Sequence, residues 1–385
     1  MLGSARVGTA QRRRPRAPSA PSVTAPPDMV LFGAVATLVA IGLVMIYSAS
    51  SATAYASFRD TAYYVKHQAL WLVIASMVAA VVYRVDYRKL KKAAPLAVGL
   101  SFASLVLVLI PHVGQMSGGA RRWLGASSLG FQPSEFAKLA LVIFLAAKLS
   151  SMGENVRSLT RGVVPSLFVT VLLAMAVLKE PDMGTASLLV FTAFAMLFCA
   201  GARLEHLVMC VGAMLPVVAI SIFSSPYKMA RIFAFINPWK DPENSGFHIV
   251  QSLLALGSGG VLGLGLGASR QKFFYLPEQY TDFIFAILGE ELGMLGALAV
   301  LALFVVFAFR AVRIALAAPD RFGMLLVLGC TFLIVIQAFV NIGVVTSSWP
   351  VTGVPLPFLS YGGTSLVVSL AAVALIINVG RHRSA

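Results

Sequence analysis

An aspartate between a long polar loop and an apolar run is the first residue with the chemistry of a catalytic group. Asp282 ends the polar part of R-Q-K-F-F-Y-L-P-E-Q-Y-T-D-F-I-F-A, which starts at Arg270 and contains Lys272 and Glu278. One interpretation is an N-cap that accepts a backbone N–H at the positive end of a helix. The other is a general base or a ligand of a divalent cation, with Arg270 and Lys272 binding phosphate oxygens. Asp282→Asn separates the two, because asparagine caps about as well.

A second polar stretch, G-G-A-R-R-W-L-G followed by F-Q-P-S-E-F-A-K, joins two apolar runs. Trp123 is a candidate for stacking on a sugar and Arg122 for binding phosphate, although tryptophan near a membrane edge is commonly an interfacial anchor. Lys138 lies inside the next apolar run, where an ionisable side chain is by default a functional candidate. Glu135, one turn earlier, is its predicted partner. Snorkelling of Lys138 to the interface is the alternative.

Two further motifs carry less weight. The turn K-E-P-D, which ends at Asp182, has two carboxylates two residues apart that could bind a cation, but solvated turn residues are commoner. We therefore rank Asp182 below Asp282. The run from Gly263 to Ala268 matches G-x-G-x-x-A without the strand and helix of a dinucleotide site, so its glycines favour close backbone packing instead. No organic cofactor is predicted.

The elements that must position these residues are apolar runs long enough to cross a membrane. Hydrophobic residues make up 58% of the 385 residues and charged residues 12%, with a mean hydropathy of +0.86. Runs of about 17–25 apolar residues span roughly 30 Å of hydrocarbon as helices. The sequence therefore predicts an all-α polytopic integral membrane protein with about ten transmembrane helices. The predicted spans are 29–50, 67–83, 93–111, 136–150, 163–178, 184–200, 206–223, 283–309, 322–345 and 364–380.

The distribution of lysine and arginine predicts the orientation of the chain. The net charge of +15 is divided among many short segments with no aromatic-interleaved basic face, which argues against nucleic acid as a partner. If the N-terminus is inside, nineteen of the 30 cations are cytoplasmic and ten lie in outer loops. Both termini are therefore predicted to be cytoplasmic. Residues 1–28 form a predicted disordered basic tail, and 381–385 form a second cytoplasmic tail.

A large loop over residues 224–280, between predicted helices seven and eight, lies outside in this orientation. Most other loops are short, so this loop is the natural place for chemistry. Its net positive charge goes against the positive-inside trend and would attract an anionic, membrane-held substrate. Arg231 and Glu278 in this loop, and Gln132 in the second polar stretch, are further candidates for substrate binding. Prolines from Pro350 to Pro357 mark an irregular outer segment that is predicted to line a cavity.

Seven motifs in this order resemble the SEDS family (shape, elongation, division and sporulation), which includes FtsW, RodA and SpoVE. The resemblance covers about residues 29–380, and S-R-Q-K-F-F-Y-L-P-E resembles the FtsW and SpoVE branch more than RodA. The motifs are G-A-R-R-W, Q-P-S-E-F-A-K, P-D-M-G-T, I-N-P-W-K-D-P, Q-S-L-L-A-L-G-S-G-G, L-P-E-Q-Y-T-D-F-I-F-A with G-E-E-L-G, and P-V-T-G-V-P-L-P-F-L-S-Y-G-G-T-S.

The resemblance implies a SEDS-type transmembrane domain over 29–380 that acts as a peptidoglycan glycosyltransferase on lipid II, at the outer face of the cytoplasmic membrane. It implies that Asp282 is the essential aspartate, as a base or as a ligand of Mg²⁺ or Mn²⁺. Trp123 matches the outer-loop tryptophan, and Lys138 with Glu135 matches the polar pair of the fourth span. The implied partners are an FtsI-like class B penicillin-binding protein, which is a transpeptidase, and other division proteins.

Two other classes of function compete with the polymerase. A lipid II flippase would suit ten spans and the intramembrane Lys138. A transporter, however, should concentrate its polar residues near the membrane midplane, whereas here they gather at the outer ends of the spans. A non-catalytic division scaffold leaves the polar outer motifs without a purpose.

The first prediction is topological and follows from the distribution of cations. A reporter fused after Arg383 should be cytoplasmic, and one inserted near Asn244 should be outside. Accessibility of each reporter to a membrane-impermeant label measures this directly. The reverse labelling would place Asp282 in the cytoplasm and overturn the assignment of the site.

Overall fold

The chain folds as a bundle of helices that follows the predicted apolar runs. The computed structural model describes residues 26–117, 120–125, 130–273 and 275–382, so the predicted disordered tail lies mostly outside the described residues. The long helices are α1 (Met29–Phe58), α2 (Tyr63–Arg84), α3 (Leu90–Leu109), α4 (Pro133–Met152), α5 (Val164–Lys179), α6 (Met183–Cys199), α7 (Leu204–Phe223), α8 (Pro226–Ile236), α9 (Phe247–Gly259), α10 (Ile284–Leu316), α11 (Arg321–Val345) and α12 (Gly363–Arg381).

The polytopic helical prediction is confirmed. Each of the ten predicted spans overlaps one helix, and nine helical segments among the described residues are long and apolar enough to cross a membrane. The tenth, α6, is equally apolar but has 17 residues. Four short helical turns (Tyr87–Lys89, Gly153–Arg157, Leu159–Val163 and Pro238–Lys240) connect the longer helices.

Carboxylates cap several helices where the sequence leaves the apolar runs. Asp28 accepts a hydrogen bond from the Leu31 N–H at 3.0 Å at the start of α1, and it also pairs with Arg310. Asp320 caps α11 in the same way, with the Gly323 N–H at 2.8 Å. Such caps satisfy N–H groups that have no partner within the helix. Asp28 and its partner Arg310, near the end of α10, lie at the opposite end of the bundle from Asp282, which precedes α10. The end that carries Asp282 is here called the Asp282 face.

The helices at the centre of the bundle are α4, α11 and α12, and they are also the most buried. Around them lie α2 against α12, α3 against α4, and α1 against α10, whereas α7 is covered by few protein neighbours. Polar side chains on α4 and α11 are therefore enclosed by protein. This arrangement allows the bundle to hold ionisable groups within its span.

The segment predicted as a large loop between two spans, 224–280, connects α7 to α10 and contains two short helices, α8 and α9. After α8 and α9, its glycine-rich run crosses α10 where that helix is broken at Gly293 (φ 67°, ψ −168°). The Leu264 N–H donates to the Glu290 carbonyl at 3.0 Å, and the Met294 N–H donates to the Gly260 carbonyl at 2.9 Å. A Cβ at Gly263 would lie 2.2 Å from the Glu291 carbonyl oxygen, so the predicted close backbone packing is confirmed.

Two buried glutamates beside this break are held by a network of polar groups. Glu291 accepts from the Ser48 hydroxyl of α1 at 2.7 Å and lies 3.4 Å from the Lys272 ammonium. Glu290 accepts from the Ser269 hydroxyl at 2.5 Å and from the Arg270 N–H at 2.9 Å. The Lys272 ammonium also donates to the Gly267 carbonyl. The network therefore ties α1, the glycine-rich run and α10 together.

A second prediction concerns the stability that this network provides. Lys272→Met should lower the free energy of unfolding by about 3–5 kcal/mol, because it leaves the buried carboxylate of Glu291 without its cation. Thermal unfolding of the purified protein in detergent measures the effect. Arg270→Met is the matched control, since the Arg270 side chain is exposed and should change the melting temperature little. Equal melting temperatures for both variants would show that Lys272 is not needed there.

Candidate functional site

Asp282 lies immediately before α10, and its carboxylate does not cap that helix. Within the described part of the chain, no side chain caps the start of α10, so the capping interpretation is not supported. Instead, three consecutive backbone carbonyls of this segment accept hydrogen bonds from residues in the C-terminal part of the chain. Tyr280 accepts from the Tyr361 N–H at 2.9 Å, Thr281 from the Ser360 hydroxyl at 2.5 Å, and Asp282 from the Asn341 amide at 2.7 Å.

The predicted proline-rich segment after α11 forms one wall beside Asp282. A Cβ built at Gly353 (φ 75°) would lie 3.5 Å from Oδ2 of Asp282. The Val354 carbonyl accepts from the Asn341 amide at 2.8 Å, so one α11 side chain holds both this segment and the Asp282 backbone. A Cβ at Gly184 would lie 2.7 Å from the Thr352 carbonyl oxygen, so the start of α6 packs closely against the same wall.

The electrostatic surroundings of Asp282 favour its protonated form. Burial is the largest cause, and the nearby carboxylates of Glu278 and Asp182 add to it. Arg122 and Arg231 act in the opposite direction, and the balance raises the pKa of Asp282 to about 7. A carboxyl group with that pKa exchanges a proton readily at neutral pH, which suits a general base. We call these five residues the Asp282 site.

Two predicted cationic residues reach the Asp282 site from separate parts of the chain. Arg122, on strand β2 (Ala120–Leu124), donates to the backbone carbonyl of Glu180 at 2.9 Å and to that of Pro181 at 2.6 Å. Arg231, on α8, donates to the carbonyl of Val351 at 3.1 Å. Both guanidinium groups are therefore oriented by backbone oxygens. They supply positive charge beside Asp282, as an anionic substrate requires.

Trp123 lies on a short β-hairpin that the helical prediction did not contain. Strands β1 (Gly114–Ser117) and β2 (Ala120–Leu124) are antiparallel, and Trp123 pairs with Gln115. The half-buried Trp123 ring lies against Gly130, where an added Cβ would be 3.1 Å from Cε3. The hairpin follows α3 and precedes α4, so it presents Trp123 and Arg122 at the Asp282 face.

Lys138 and Glu135 form the predicted ion pair inside the bundle. The Lys138 ammonium lies 2.8 Å from Glu135 Oε1 and 2.7 Å from the Gln337 side-chain oxygen, and both charged residues are only 2% exposed. Lys138 therefore does not snorkel to the interface. The Gln337 amide donates in turn to the Pro355 carbonyl at 2.8 Å. The pair is thereby connected to the wall beside Asp282.

Sequence reasoning missed Gln337 and Asn341. These two α11 side chains are one turn apart and buried, and they connect the Lys138 pair, the proline-rich segment and Asp282. The available signal was two amide residues at i and i+4 in an otherwise apolar span, which lie on one helix face.

The two carboxylates of the K-E-P-D turn are buried, which corrects the solvated-turn interpretation for these two residues. Asp182 is 4% exposed and caps α6, accepting from the N–H and the hydroxyl of Thr185 at 2.9 Å each. Glu180 is fully buried. Both lie in the turn before α6, whose start packs at Gly184 against the proline-rich segment beside Asp282, and Asp182 adds to the rise in the pKa of Asp282.

The remaining predicted residues divide between the site and its surroundings. Glu278 is exposed and accepts from the Thr281 hydroxyl at 2.8 Å, beside Asp282. The backbone N–H of Gln132 donates to the Thr364 hydroxyl at 3.3 Å at the start of α4. Arg270 is exposed. Lys272 is committed to Glu291, so this placement does not support the prediction that it binds phosphate.

The Asp282 site offers few protein ligands for a divalent cation. Among the described residues, no group of three or more histidine, cysteine or acidic side chains is placed to hold a metal ion. Mg²⁺ is often held by one or two carboxylates together with substrate phosphate oxygens. Asp282 fits that mode, as the single carboxylate that would share a cation with a substrate diphosphate.

A family model described as a cell cycle protein, that of FtsW, RodA and SpoVE, matches residues 28–385. The chain belongs to the FtsW/RodA/SpoVE family. Its relatives include the stage V sporulation protein E of Bacillus subtilis (strain 168), which is 46% identical over 361 residues, 92% of this chain and 97% of that protein. The "Probable peptidoglycan glycosyltransferase FtsW" of Trichlorobacter lovleyi is 42% identical over 352 residues, 91% of this chain and 92% of that protein.

Solved structures share the fold of this FtsW/RodA/SpoVE family member. One is a chain of a peptidoglycan synthase complex studied for the coordination of polymerization and crosslinking. It has a TM-score of 0.76 and 30% identity, and the match covers 92% of this chain and 98% of that chain. Another is the rod shape determining protein RodA of Thermus thermophilus, with a TM-score of 0.68, 29% identity and coverage of 93% and 98%.

A third prediction follows from the pKa of Asp282. If the carboxylate is the base, the rate of the catalysed reaction should rise with pH through about 7, as Asp282 loses its proton. Asp282→Asn should fold normally and lose at least about 100-fold in rate, since a positioned base contributes about 10²–10⁴-fold. Initial rates across pH 5.5–9 measure both effects. A near-normal rate in Asp282→Asn would remove Asp282 from the chemistry.

Proposed function

We propose that this chain, a peptidoglycan glycosyltransferase of the FtsW/RodA/SpoVE family, polymerises lipid II into glycan strands at the outer face of the cytoplasmic membrane. The proposed setting is septal cell-wall synthesis in division. The observation that carries the proposal is Asp282, a carboxyl group with a pKa of about 7 beside two guanidinium groups at one end of the bundle. A proton acceptor next to fixed positive charge suits a sugar hydroxyl and a lipid diphosphate.

The reaction is a substitution at the anomeric carbon of the growing strand. The 4-hydroxyl of the glucosamine in one lipid II attacks this carbon, and the carbon–oxygen bond to undecaprenyl diphosphate breaks. The configuration inverts from α to β. The Asp282 carboxylate takes the hydroxyl proton, and undecaprenyl diphosphate leaves with the bonding electron pair.

The carboxylate of the Asp282 site acts on the acceptor hydroxyl, and its guanidinium groups act on the leaving group. Arg122 and Arg231 stabilise the negative charge that develops on the diphosphate, because guanidinium groups match phosphate oxygens. Trp123, on the hairpin beside Arg122, offers a face for stacking on a sugar ring. In the alternative role, Asp282 would hold Mg²⁺ or Mn²⁺, which would supply further positive charge to the leaving group.

The Lys138–Glu135 pair supports the Asp282 site from within the helix bundle. It contacts Gln337, which holds the Pro355 carbonyl of the wall beside Asp282. In this role the pair sets the position of the wall, and its charges need not contact the sugar. The proposed orientation has both termini in the cytoplasm, so that the Asp282 face is outside.

The proposed partner is an FtsI-like class B penicillin-binding protein that cross-links the glycan. The similarity to a chain of a peptidoglycan synthase complex supports an assembly of this kind. Such a partner would shift the polymerase between inactive and active conformations by binding one of them better.

The decisive experiment uses detergent micelles, which do not separate two compartments and therefore do not allow transport to be observed. A flippase can form no new covalent bond there, whereas a polymerase can. We expect the purified chain, with its transpeptidase partner and Mg²⁺ or Mn²⁺, to convert lipid II into long glycan strands, resolved by gel electrophoresis. Product should persist when penicillin blocks the transpeptidase serine, because polymerisation and cross-linking are separate reactions.

Two controls decide between the functions. Asp282→Asn, purified in the same way, should give no strands, which excludes a contaminating polymerase. Sealed vesicles carrying the chain test transport of lipid II across the bilayer. Intact lipid II in micelles together with transport in vesicles would replace the polymerase with a flippase.

A further inference from the structure

Glu180, in the turn between α5 and α6, is a buried acid that the proposed reaction does not use. Its residue exposure is 0%, and neither oxygen of its carboxyl group has a hydrogen-bond partner among the described residues. The turn leads into α6, whose start packs at Gly184 against Thr352 of the proline-rich segment beside Asp282. Glu180 therefore lies close to the Asp282 site, two residues before its member Asp182.

The groups around Glu180 do not compensate a negative charge there. Asp182 is itself acidic, and its two oxygens are occupied by Thr185. Arg122 is the nearby cation, yet its guanidinium donates to the backbone carbonyls of Glu180 and Pro181 and not to the carboxyl oxygens. Lys179, next in the chain, is exposed.

The arrangement favours a neutral carboxylic acid. An ionised carboxylate without a hydrogen bond is costly to bury, and a second carboxylate two residues away makes it costlier. Burial accordingly raises the pKa of Glu180 to about 8, Asp182 adds to the rise, and Arg122 opposes it. At neutral pH the K-E-P-D turn carries one negative charge less than its sequence indicates.

The protonation state of Glu180 determines what Arg122 can do. Arg122 acts on both Glu180 and Asp282, so the two carboxyl groups compete for one guanidinium. If Glu180 were ionised, Arg122 would be neutralised within the turn and the wall would gain negative charge. With Glu180 neutral, the charge of Arg122 remains available to the face that also carries Asp282, Glu278 and Arg231.

We propose that Glu180 is a positioning residue that acts as a neutral acid, and that it thereby reserves the charge of Arg122 for the diphosphate of the substrate. This role rests on the proposed function, since it assumes an anionic lipid diphosphate at the Asp282 site. The carboxyl proton of Glu180 is held in place and is not transferred to substrate. Loss of that proton weakens binding of the substrate more than it slows the chemical step.

The test compares Glu180→Gln, which keeps the shape of a neutral acid, with the unchanged chain across pH. In the unchanged chain the KM for lipid II should rise about tenfold or more between pH 7 and pH 9, with a smaller change in kcat. Glu180→Gln should have a KM within about twofold of the unchanged chain at pH 7 and should not show this rise. A KM that rises equally in both proteins would overturn the proposal.

A second measurement does not depend on activity. The infrared spectrum of the unchanged chain at pH 7, minus that of Glu180→Gln, should contain the carbonyl stretch of a protonated carboxyl group, and the band should disappear at pH 9.5. The Asp282→Asn background should give the same band. Its absence at pH 7 would show that Glu180 is ionised and would end the proposal.

Stability gives a third readout. Because the folded pKa is raised from 4.5 to about 8, Glu180 destabilises the fold relative to glutamine progressively as pH rises from about 4.5 to about 8. The melting temperature of the unchanged chain should fall across this range relative to Glu180→Gln. If Glu180→Gln does not fold, Glu180→Leu replaces it. A last outcome separates this proposal from the proposed function. If neither the unchanged chain nor Glu180→Gln polymerises lipid II, but the infrared band and the fall in melting temperature are both observed, then the proposed function is wrong and Glu180 is still a neutral acid.

Discussion

The structure depends on one constraint, which is that a charge inside an apolar bundle needs its partner there. Lipid offers neither hydrogen bonds nor counter-ions, so each buried ammonium draws acidic and amide groups from other parts of the chain. Lys138 is satisfied by Glu135 on its own helix and by Gln337 on α11, and Lys272 is satisfied by Glu291 on α10. Because these contacts join separate elements, they also fix how those elements stand relative to one another.

The Asp282 face uses the opposite arrangement. There the backbone is held tightly, as the Asn341 bond to the Asp282 carbonyl shows, while the carboxyl group lies among acidic as well as cationic side chains, so that its charge is only partly compensated. Burial then raises the pKa of both Asp282 and Glu180 toward the neutral range. Paired charges within the bundle maintain its shape, and incompletely compensated carboxyl groups at its end retain their proton chemistry.

Local patterns were read correctly from the sequence. The ten apolar runs became ten helices, and the i, i+3 spacing of Glu135 and Lys138 became an ion pair. Short elements and the directions of single side chains were not predicted. The loop over 224–280 contains α8 and α9, and Trp123 lies on a hairpin. Lys272 resembled a phosphate ligand because its sequence neighbours are loop residues, but its ammonium points into the bundle.

The sequence by itself determined the helical membrane class of the protein, the positions of its apolar runs and the motifs of its family, because hydropathy, helix length and motif order are properties of contiguous residues. Only the tertiary structure decided which charges meet. Arg122 reaches a carbonyl 58 residues away in the chain, and Asn341 reaches one 59 residues away. The pKa of a carboxyl group depends on its burial and on the charges within a few ångströms of it. The sequence K-E-P-D is compatible with a solvated turn or with a turn whose carboxylates are buried beside a site. The packing of the helices produces the second arrangement.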